Sequence, residues 1–320
     1  MKILLIGPLP PPLGGVSVFL KRHKRALESE GHEVDLLDRT KLGRWRYVWH
    51  LCFGRLKDYD LISVHVQSLC VPLILLARGA ASRTQVMDHN WRRIETWNRW
   101  QRKAYGAFLA RCRELVLIGH EIKSYYEEHG VALARQTAIR SPFIPPPADE
   151  EQAIWESYPS EVHAFVRRAA PLVLANAPRI VFYRGVDLYG LDMCVDLVAE
   201  LKRDHPQIGL LFALAEVGDE AYLRAIKKRI NAVGIEENFH FMTGHREMWP
   251  LFKRAQLFVR PTCADGYGIS VAEAVYFGCP AVASDVCTRT PGTIVFRNRD
   301  REDFWRRCRQ ALNRRCSIAR

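Results

Sequence analysis

The 320-residue chain lacks the marks of several common classes. Its nine cysteines, at 52, 70, 112, 194, 263, 279, 287, 308 and 316, include no Cys-x-x-Cys pair and no Cys/His ligand spacing. A zinc site is therefore not expected. An odd number of scattered thiols suits a reducing, cytoplasmic compartment. No apolar run approaches the length of a transmembrane helix, and the richest stretch, Val71 to Ala77, is too short. The opening Met1-Lys-Ile-Leu-Leu-Ile-Gly7 runs straight into Pro8, Pro10, Pro11 and Pro12. It reads as a strand and a loop, not as a signal peptide. There is no short-period repeat and no low-complexity tract. The dinucleotide fingerprint G-x-G-x-x-G is missing, which disfavours nicotinamide chemistry.

Positive charge is what one half has in excess. The formal net charge is +12. Residues 1–145 carry 23 Lys and Arg against 13 Asp and Glu, whereas the remainder carries 24 against 22. The N-terminal half therefore calls for an anionic partner: a phosphate-bearing substrate, a membrane surface or nucleic acid. A composition of 48% hydrophobic and 26% charged residues is that of a globular protein, and the length suits two domains.

The first half alternates short apolar runs with longer amphipathic ones. Strands are predicted at Lys2–Gly7, Glu33–Leu37, Leu61–His65, Thr84–Met87 and Leu115–Ile118. Helices are predicted at Val16–Glu30, Val71–Arg78, Trp97–Cys112 and Glu121–His129. Pro142–Glu151 breaks the pattern, and residues 146–165 read as a linker. A second series follows, with strands at Ile208–Ala213, Phe239–Met242, Leu257–Arg260 and Pro280–Ser284. Helices there fit Leu191–Arg203, Glu220–Val233, Met248–Arg254 and Ile269–Phe277. The expected fold is α/β: two Rossmann-like, doubly wound parallel-sheet domains, 1–145 and 166–300, facing a cleft. Open parallel sheets bind ligands beyond the carboxyl ends of their strands, so one domain can hold a donor and the other an acceptor.

The most informative segment is Arg260 to Asp285. A strand enters a loop with Gly266 and Gly268, then a helix starts at Ile269 and Ser270. The glycines allow close backbone approach, and the helix start offers unpaired N–H groups to a diphosphate. Asp265 and Glu273 suit sugar and ribose hydroxyls. Each also has a plainer reading, Asp265 as a helix cap and Glu273 as a solvated helix residue.

The string Asp265-Gly-Tyr-Gly-Ile-Ser-Val-Ala-Glu273-Ala-Val-Tyr-Phe-Gly278-Cys-Pro280 resembles the donor-site signature E-x7-E of the retaining glycosyltransferases of family four, which have the GT-B fold. Spacing matches throughout, with Asp265 for the first Glu and Tyr267 for the Phe. The resemblance implies that Asp265 binds the donor sugar and Glu273 the ribose. It also implies that Arg184, in Tyr183-Arg184-Gly, neutralises the diphosphate, with Tyr189 standing where a Lys is expected. Arg260, ending a strand beside the loop, can supply a second positive charge; the plainer readings are a salt-bridge partner for Arg260 and a surface arginine near a domain boundary for Arg184. Gly14 and Gly15 would bring amides near the phosphate or acceptor. Taken alone, that Gly-Gly pair reads equally as a tight turn. His89 would contact the donor sugar or acceptor, with His65 and His120 as rivals. Gly244, followed by His245, falls where the family cradles the base. Residues 301–320 would form a helix packing back on the N-terminal domain.

Two basic–aromatic stretches remain. One holds Trp45, Tyr47, Trp49 and Phe53 between Lys41 and Lys57; the other holds Trp91, Trp97 and Trp100 between Trp91 and Lys103. They read as contact with an anionic membrane surface or as a core stripe with a solvated face. No nucleic-acid-binding motif accompanies them, so a nucleic-acid partner is not expected. The resulting expectation is a glycosyltransferase that moves a sugar from a nucleotide-diphosphate-sugar to an acceptor hydroxyl with retention and without a metal or cofactor. The acceptor would be a glycan or lipid-linked glycan in bacterial surface polysaccharide assembly, and the protein cytoplasmic or peripheral at the inner membrane face. The alternatives are a sugar-nucleotide isomerase or hydrolase on the same fold, and a non-catalytic partner protein.

Overall fold

The computed structural model describes residues 1–66, 68–89 and 92–318; for Arg92 and residues 314–318 it describes the backbone alone. The chain divides into two compact units, Met1–Ile144 and Pro145–Arg320.

The first unit carries a six-stranded parallel sheet: β1 (Lys2–Ile6), β2 (Glu33–Leu37), β3 (Leu61–Val64), β4 (Thr84–Asp88), β5 (Glu114–Leu117) and β6 (Thr137–Ile139). Their order is β2-β1-β3-β4-β5-β6. Strand β1 is central, and Ile3, Leu4, Leu5 and Ile6 are all buried, which is why its sequence is apolar without alternation. The chain moves one way from β1 to β2 and then crosses to β3 on the other side. That reversal opens a crevice at the carboxyl ends of β1 and β3.

The second unit repeats the plan with β7 (Leu172–Arg179), a hairpin β8 (Phe182–Tyr183) and β9 (Val186–Asp187), then β10 (Gly209–Glu216), β11 (Phe239–Thr243), β12 (Leu257–Arg260), β13 (Ala281–Ser284) and β14 (Ile294–Phe296). The main sheet runs β11-β10-β7-β12-β13-β14. Its reversal point lies between β7 and β12. The Leu191–Leu201, Glu220–Ala232 and Arg301–Ile318 helices bury one face of this sheet. The Ser160–Arg168, Trp249–Phe252 and Ile269–Tyr276 helices bury the other. The last helix of the chain packs on β12, β13 and β14 through Phe304, Cys308, Ala311 and Leu312.

Two expectations are corrected here. Residues 146–165 are not a free linker. Beyond the prolines at 145–147 they form helices at Glu151–Glu156 and Ser160–Arg168, and Tyr158, Val162 and Phe165 are buried in the second unit. Aromatic and aliphatic residues at helical spacing outweigh the proline signal once there is a sheet face to cover. The sequence reading also missed β7, the central strand of its sheet. Asn176 and Pro178 interrupt its apolar run, and proline argues against a central strand.

Candidate active site

The second unit gathers its polar residues at the carboxyl ends of β7, β12 and β13. Arg260 closes β12 and turns its guanidinium toward β7, where Nη1 donates to the Asn176 backbone oxygen at 3.1 Å and to Asn176 Oδ1 at 3.0 Å. Arg260 Nε meets Asp265 Oδ2 at 3.2 Å. Arg289, in the loop after β13, reaches the same oxygen with Nη1 at 2.9 Å. Its remaining donors go to Ser284 O (3.0 Å), Ser284 Oγ (3.2 Å) and Tyr267 O (3.1 Å). The side chains of Asp265, Arg260 and Arg289 are 14%, 9% and 2% exposed. One carboxylate between two guanidiniums leaves a buried cluster of net charge +1. Burial pushes the Asp265 carboxyl up, but Arg260 and Arg289 outweigh it and hold the group well below the usual carboxylate range.

The cluster lies beside the start of the Ile269–Tyr276 helix. Gly268 is the N-cap with φ +82°, so no side chain caps the helix and its first N–H groups face the loop. A Cβ at Gly268 would sit 2.7 Å from Arg289 Nη1 and 3.1 Å from Asp265 Oδ2, so glycine is what lets the clamp close. Ser270 Oγ donates to Asn176 Oδ1 at 3.1 Å. Glu273 is buried at 6% exposure, three residues along the helix from Ser270 and therefore on the same face. The solvated reading of Glu273 does not hold, and neither does the cap reading of Asp265: its Oδ1 accepts from the Gly266 N–H instead. Tyr267 closes the loop through its hydroxyl, 2.6 Å from Thr290 Oγ1.

Tyr189 stands under the cluster, its ring 4.9 Å from the Arg260 guanidinium. It supplies a π face where a second cation was expected. Gly190 follows at φ +69°, with its Cα so close to Pro261 that a Cβ would lie 2.2 Å from Pro261 O. Arg184 sits at φ +50° in the two-residue turn Arg184-Gly185 between β8 and β9; it is exposed, and its guanidinium stacks on Tyr183 at 5.2 Å. Gly244 ends β11 at φ +95°. His245 beyond it lies 3.4 Å from Glu216 at the end of β10. Of the residues singled out in the sequence, the fold brings Asp265, Arg260, Tyr189, Gly268 and Ser270 together. Asn176 and Arg289, which the sequence did not single out, join them.

In the first unit, Gly7 and His65 meet at the β1/β3 crevice. A Cβ on Gly7 would lie 2.8 Å from Leu20 Cδ2 and 3.2 Å from His65 Cβ. His65 and His89 are partners rather than rivals: His65 Nδ1 and His89 Nε2 are 3.2 Å apart. His23 and Phe19, on the Gly15–Ser29 helix, close the cluster with ring centroids 6.0 and 5.5 Å from His65. Burial, helped by neighbouring rings, pushes His65 well below its usual pKa and His89 down to about 4. His120 is exposed at the start of the His120–Glu128 helix. Gly14, the N-cap of the Gly15–Ser29 helix, is extended at φ −160°, and a Cβ there would meet nothing within 4 Å. Neither steric crowding nor a left-handed backbone requires glycine at 14. A cavity of about 450 Å³ lies beside Gly7 and is lined by Pro8, Leu37, Asp38, Thr40 and Tyr47 among others.

The basic–aromatic stretches divide. Trp45, Trp49 and Phe53 are 84%, 58% and 69% exposed, and Trp100 is 69% exposed. Tyr47 and Trp97 are buried, so those two belong to the core. Trp91 lies outside the described residues. Among the described residues no helix is long and apolar enough to cross a membrane.

Over 98 residues the chain is 30% identical to the lipopolysaccharide core biosynthesis mannosyltransferase LpsB of Rhizobium meliloti, a stretch covering 30% of this chain and 28% of that protein. Crystal structures of Anabaena Alr3699/HepE in complex with UDP and glucose (TM-score 0.69, 14% identity, 98% of this chain and 89% of that one) share its fold. So does the sucrose-phosphate synthase of Thermosynechococcus elongatus (TM-score 0.67, 16% identity, 98% and 90%). Two parallel six-stranded sheets are thus the GT-B architecture of these structures. Residues 170–296, which hold the whole Arg260–Asp265–Arg289 cluster, match the family model of Glycosyl transferases group 1.

Proposed function

We propose that the protein is a retaining glycosyltransferase that takes a hexose from a nucleotide-diphosphate-sugar and passes it to an acceptor hydroxyl. The observation that carries this reading is the buried, net-positive cluster of Arg260, Asp265 and Arg289 beside an uncapped helix start. A leaving diphosphate develops negative charge, and preorganised donors in a water-poor setting stabilise it strongly. In this mechanism the helix start at Ile269, Arg260 and Arg184 hold the diphosphate, and the two arginines meet its charge without a metal. Glu273 accepts from the ribose hydroxyls. Backbone groups near Gly244 line the base. His89, at the end of β4, receives a hydroxyl of the sugar or acceptor. The match to a lipopolysaccharide mannosyltransferase supports surface polysaccharide assembly as the setting.

A thermal-shift screen against UDP-, GDP-, ADP- and dTDP-sugars tests the reading, because a ligand that binds only the folded state raises its melting temperature. No shift with any donor would sink it. Glu273→Ala is expected to weaken donor binding by roughly 1.5–3 kcal/mol, the loss of charge-assisted hydrogen bonds. Calorimetry on the folded variant measures this, and unchanged affinity removes Glu273 from the site. A second reading, donor binding without turnover, draws on Asp265, whose Oδ2 is committed to both arginines. Tight donor binding with no transfer to any acceptor would favour it.

The acceptor reading draws on the Arg44–Phe53 helix. Tyr47 lines the cavity on one side of it, while Trp45, Trp49 and Phe53, at i, i+4 and i+8, form an exposed stripe. Lys41, Arg44, Arg46, Arg55 and Lys57 flank the stripe, and residues 39–57 contain no acid. Such a surface suits an anionic bilayer beside a lipid-linked acceptor. Replacing Trp45, Trp49 and Phe53 with serine is expected to lower partition onto phosphatidylglycerol vesicles by roughly a hundredfold, since each lost ring forfeits on the order of 1 kcal/mol. Equal co-sedimentation of variant and parent would discard the membrane contact.

A further inference from the structure

A polar ladder crosses the first unit's sheet below the two paired histidines. Ser63 on β3 pairs in register with Gln85 on β4, and Gln85 with Glu114 on β5. The three side chains therefore share one rung of one face. At its outer end Arg140 is paired with Glu114. Gln85 Nε2 donates to Glu114 Oε2 at 2.6 Å. A carboxylate only accepts, so the amide nitrogen must face Glu114 and the amide oxygen must face Ser63. That oxygen can only accept in turn, and Ser63 Oγ donates to Gln85 Oε1 at 3.4 Å. Ser63 has a single hydrogen. With it directed to Gln85, Ser63 Oγ becomes the acceptor for His65 Nε2, 2.9 Å away. His65 Nε2 then carries the ring proton, and His65 Nδ1 is the lone pair that accepts from His89 Nε2–H at 3.2 Å.

We propose that Glu114, Gln85 and Ser63 are positioning residues that fix the tautomers of His65 and His89, so that His89 presents an unprotonated Nδ1 at the carboxyl end of β4. Both rings are neutral near neutral pH because burial resists a second proton, so each nitrogen is either donor or acceptor and the chain has one consistent direction. Among the described residues no hydrogen bond reaches His89 Nδ1. An acceptor nitrogen there selects for a ligand hydroxyl as donor, whereas a carboxylate or phosphate oxygen would set its own lone pair against the nitrogen's. The reverse direction, with Ser63 donating to His65 Nε2, would leave Gln85 Oε1 facing an oxygen with no hydrogen between them.

The tautomers are readable without any substrate. In a long-range proton–nitrogen correlation spectrum of the full chain with isotopically labelled histidine, assigned with His65→Gln and His89→Gln, both rings are expected in the Nε2–H form. An Nδ1–H ring at either position overturns the proposal. In Gln85→Leu the anchor for the Ser63 hydrogen is gone, and the two rings are expected to shift toward a mixture of forms. If that variant does not fold, Glu114→Gln, at the partly exposed end of the ladder, frees the Gln85 amide to turn and is expected to give the same mixture. A spectrum unchanged in a folded variant shows that the ladder does not set the tautomer. The consequence for turnover rests on the transferase reading, where Glu114→Gln should lower kcat, and donor affinity with it if the hydroxyl that His89 receives belongs to the donor sugar. A chain that proves not to transfer sugar would still pass or fail the tautomer measurement.

Discussion

Asp265→Ala is expected to lower the unfolding free energy of the second unit by about 3–5 kcal/mol, because it leaves two buried guanidiniums without their shared carboxylate. Arg260 and Arg289 meet that carboxylate at 3.2 and 2.9 Å from positions 9% and 2% exposed. Neither can lose its proton to escape the penalty. Asp265→Asn keeps an oxygen acceptor and should cost less. The sign with pH follows from the lowered pKa of the carboxyl. Its contribution is complete above the unfolded value near 3.9 and is lost only as pH falls through the depressed folded value. Chemical denaturation of parent and variant measures the difference. A loss below about 1 kcal/mol would mean that water reaches both arginines. A residue that only touched a sugar would alter donor affinity and leave stability where it was. Asp265 should therefore register in both measurements.

In the first unit, stability is expected to climb steeply with pH between about 4, where folded His89 titrates, and the ordinary histidine value of 6.5. Burial pushes His23, His65 and His89 all downward, against a weaker opposing pull of Glu30 on His23. Over that window the unfolded chain binds protons that the folded chain refuses. Each such proton adds about 1.4 kcal/mol per pH unit to the slope. Below the folded values the slope vanishes. His89→Gln should remove one proton from the slope, visible in denaturation curves taken at a series of pH values. A parent whose stability is flat from pH 6.5 downward would show that water already solvates these rings.

The alternation of apolar strands and amphipathic helices made the two-sheet plan legible, since strands buried on both faces leave continuous apolar runs such as Ile3–Ile6. Strand β7 escaped because Asn176 gives its side chain to the site and Pro178 sits near the strand's end. Loop spacing and glycines revealed Asp265, Gly268 and Ser270, which are local to one motif. Arg289 did not announce itself. It lies 24 positions after Asp265 in a loop without periodicity, and only the return of the chain beyond β13 brings it to the carboxylate. The basic–aromatic signal was half informative. Sequence spacing cannot tell which face of a helix meets the core, so Tyr47 and Trp97 looked no different from Trp45 and Trp49.

The modest length of the acid at 265 takes on meaning from its surroundings. Its Oδ2 fills the gap between two arginines, and the backbone of Gly268 lies close enough that a Cβ there would come within 3.1 Å of that oxygen. Substituting glutamate drives the carboxylate one methylene further into Arg289 or the loop. Aspartate, glycine and arginine at 265, 268 and 289 thus form one sterically interlocked unit. Anyone grafting this loop onto another scaffold has to carry all three together.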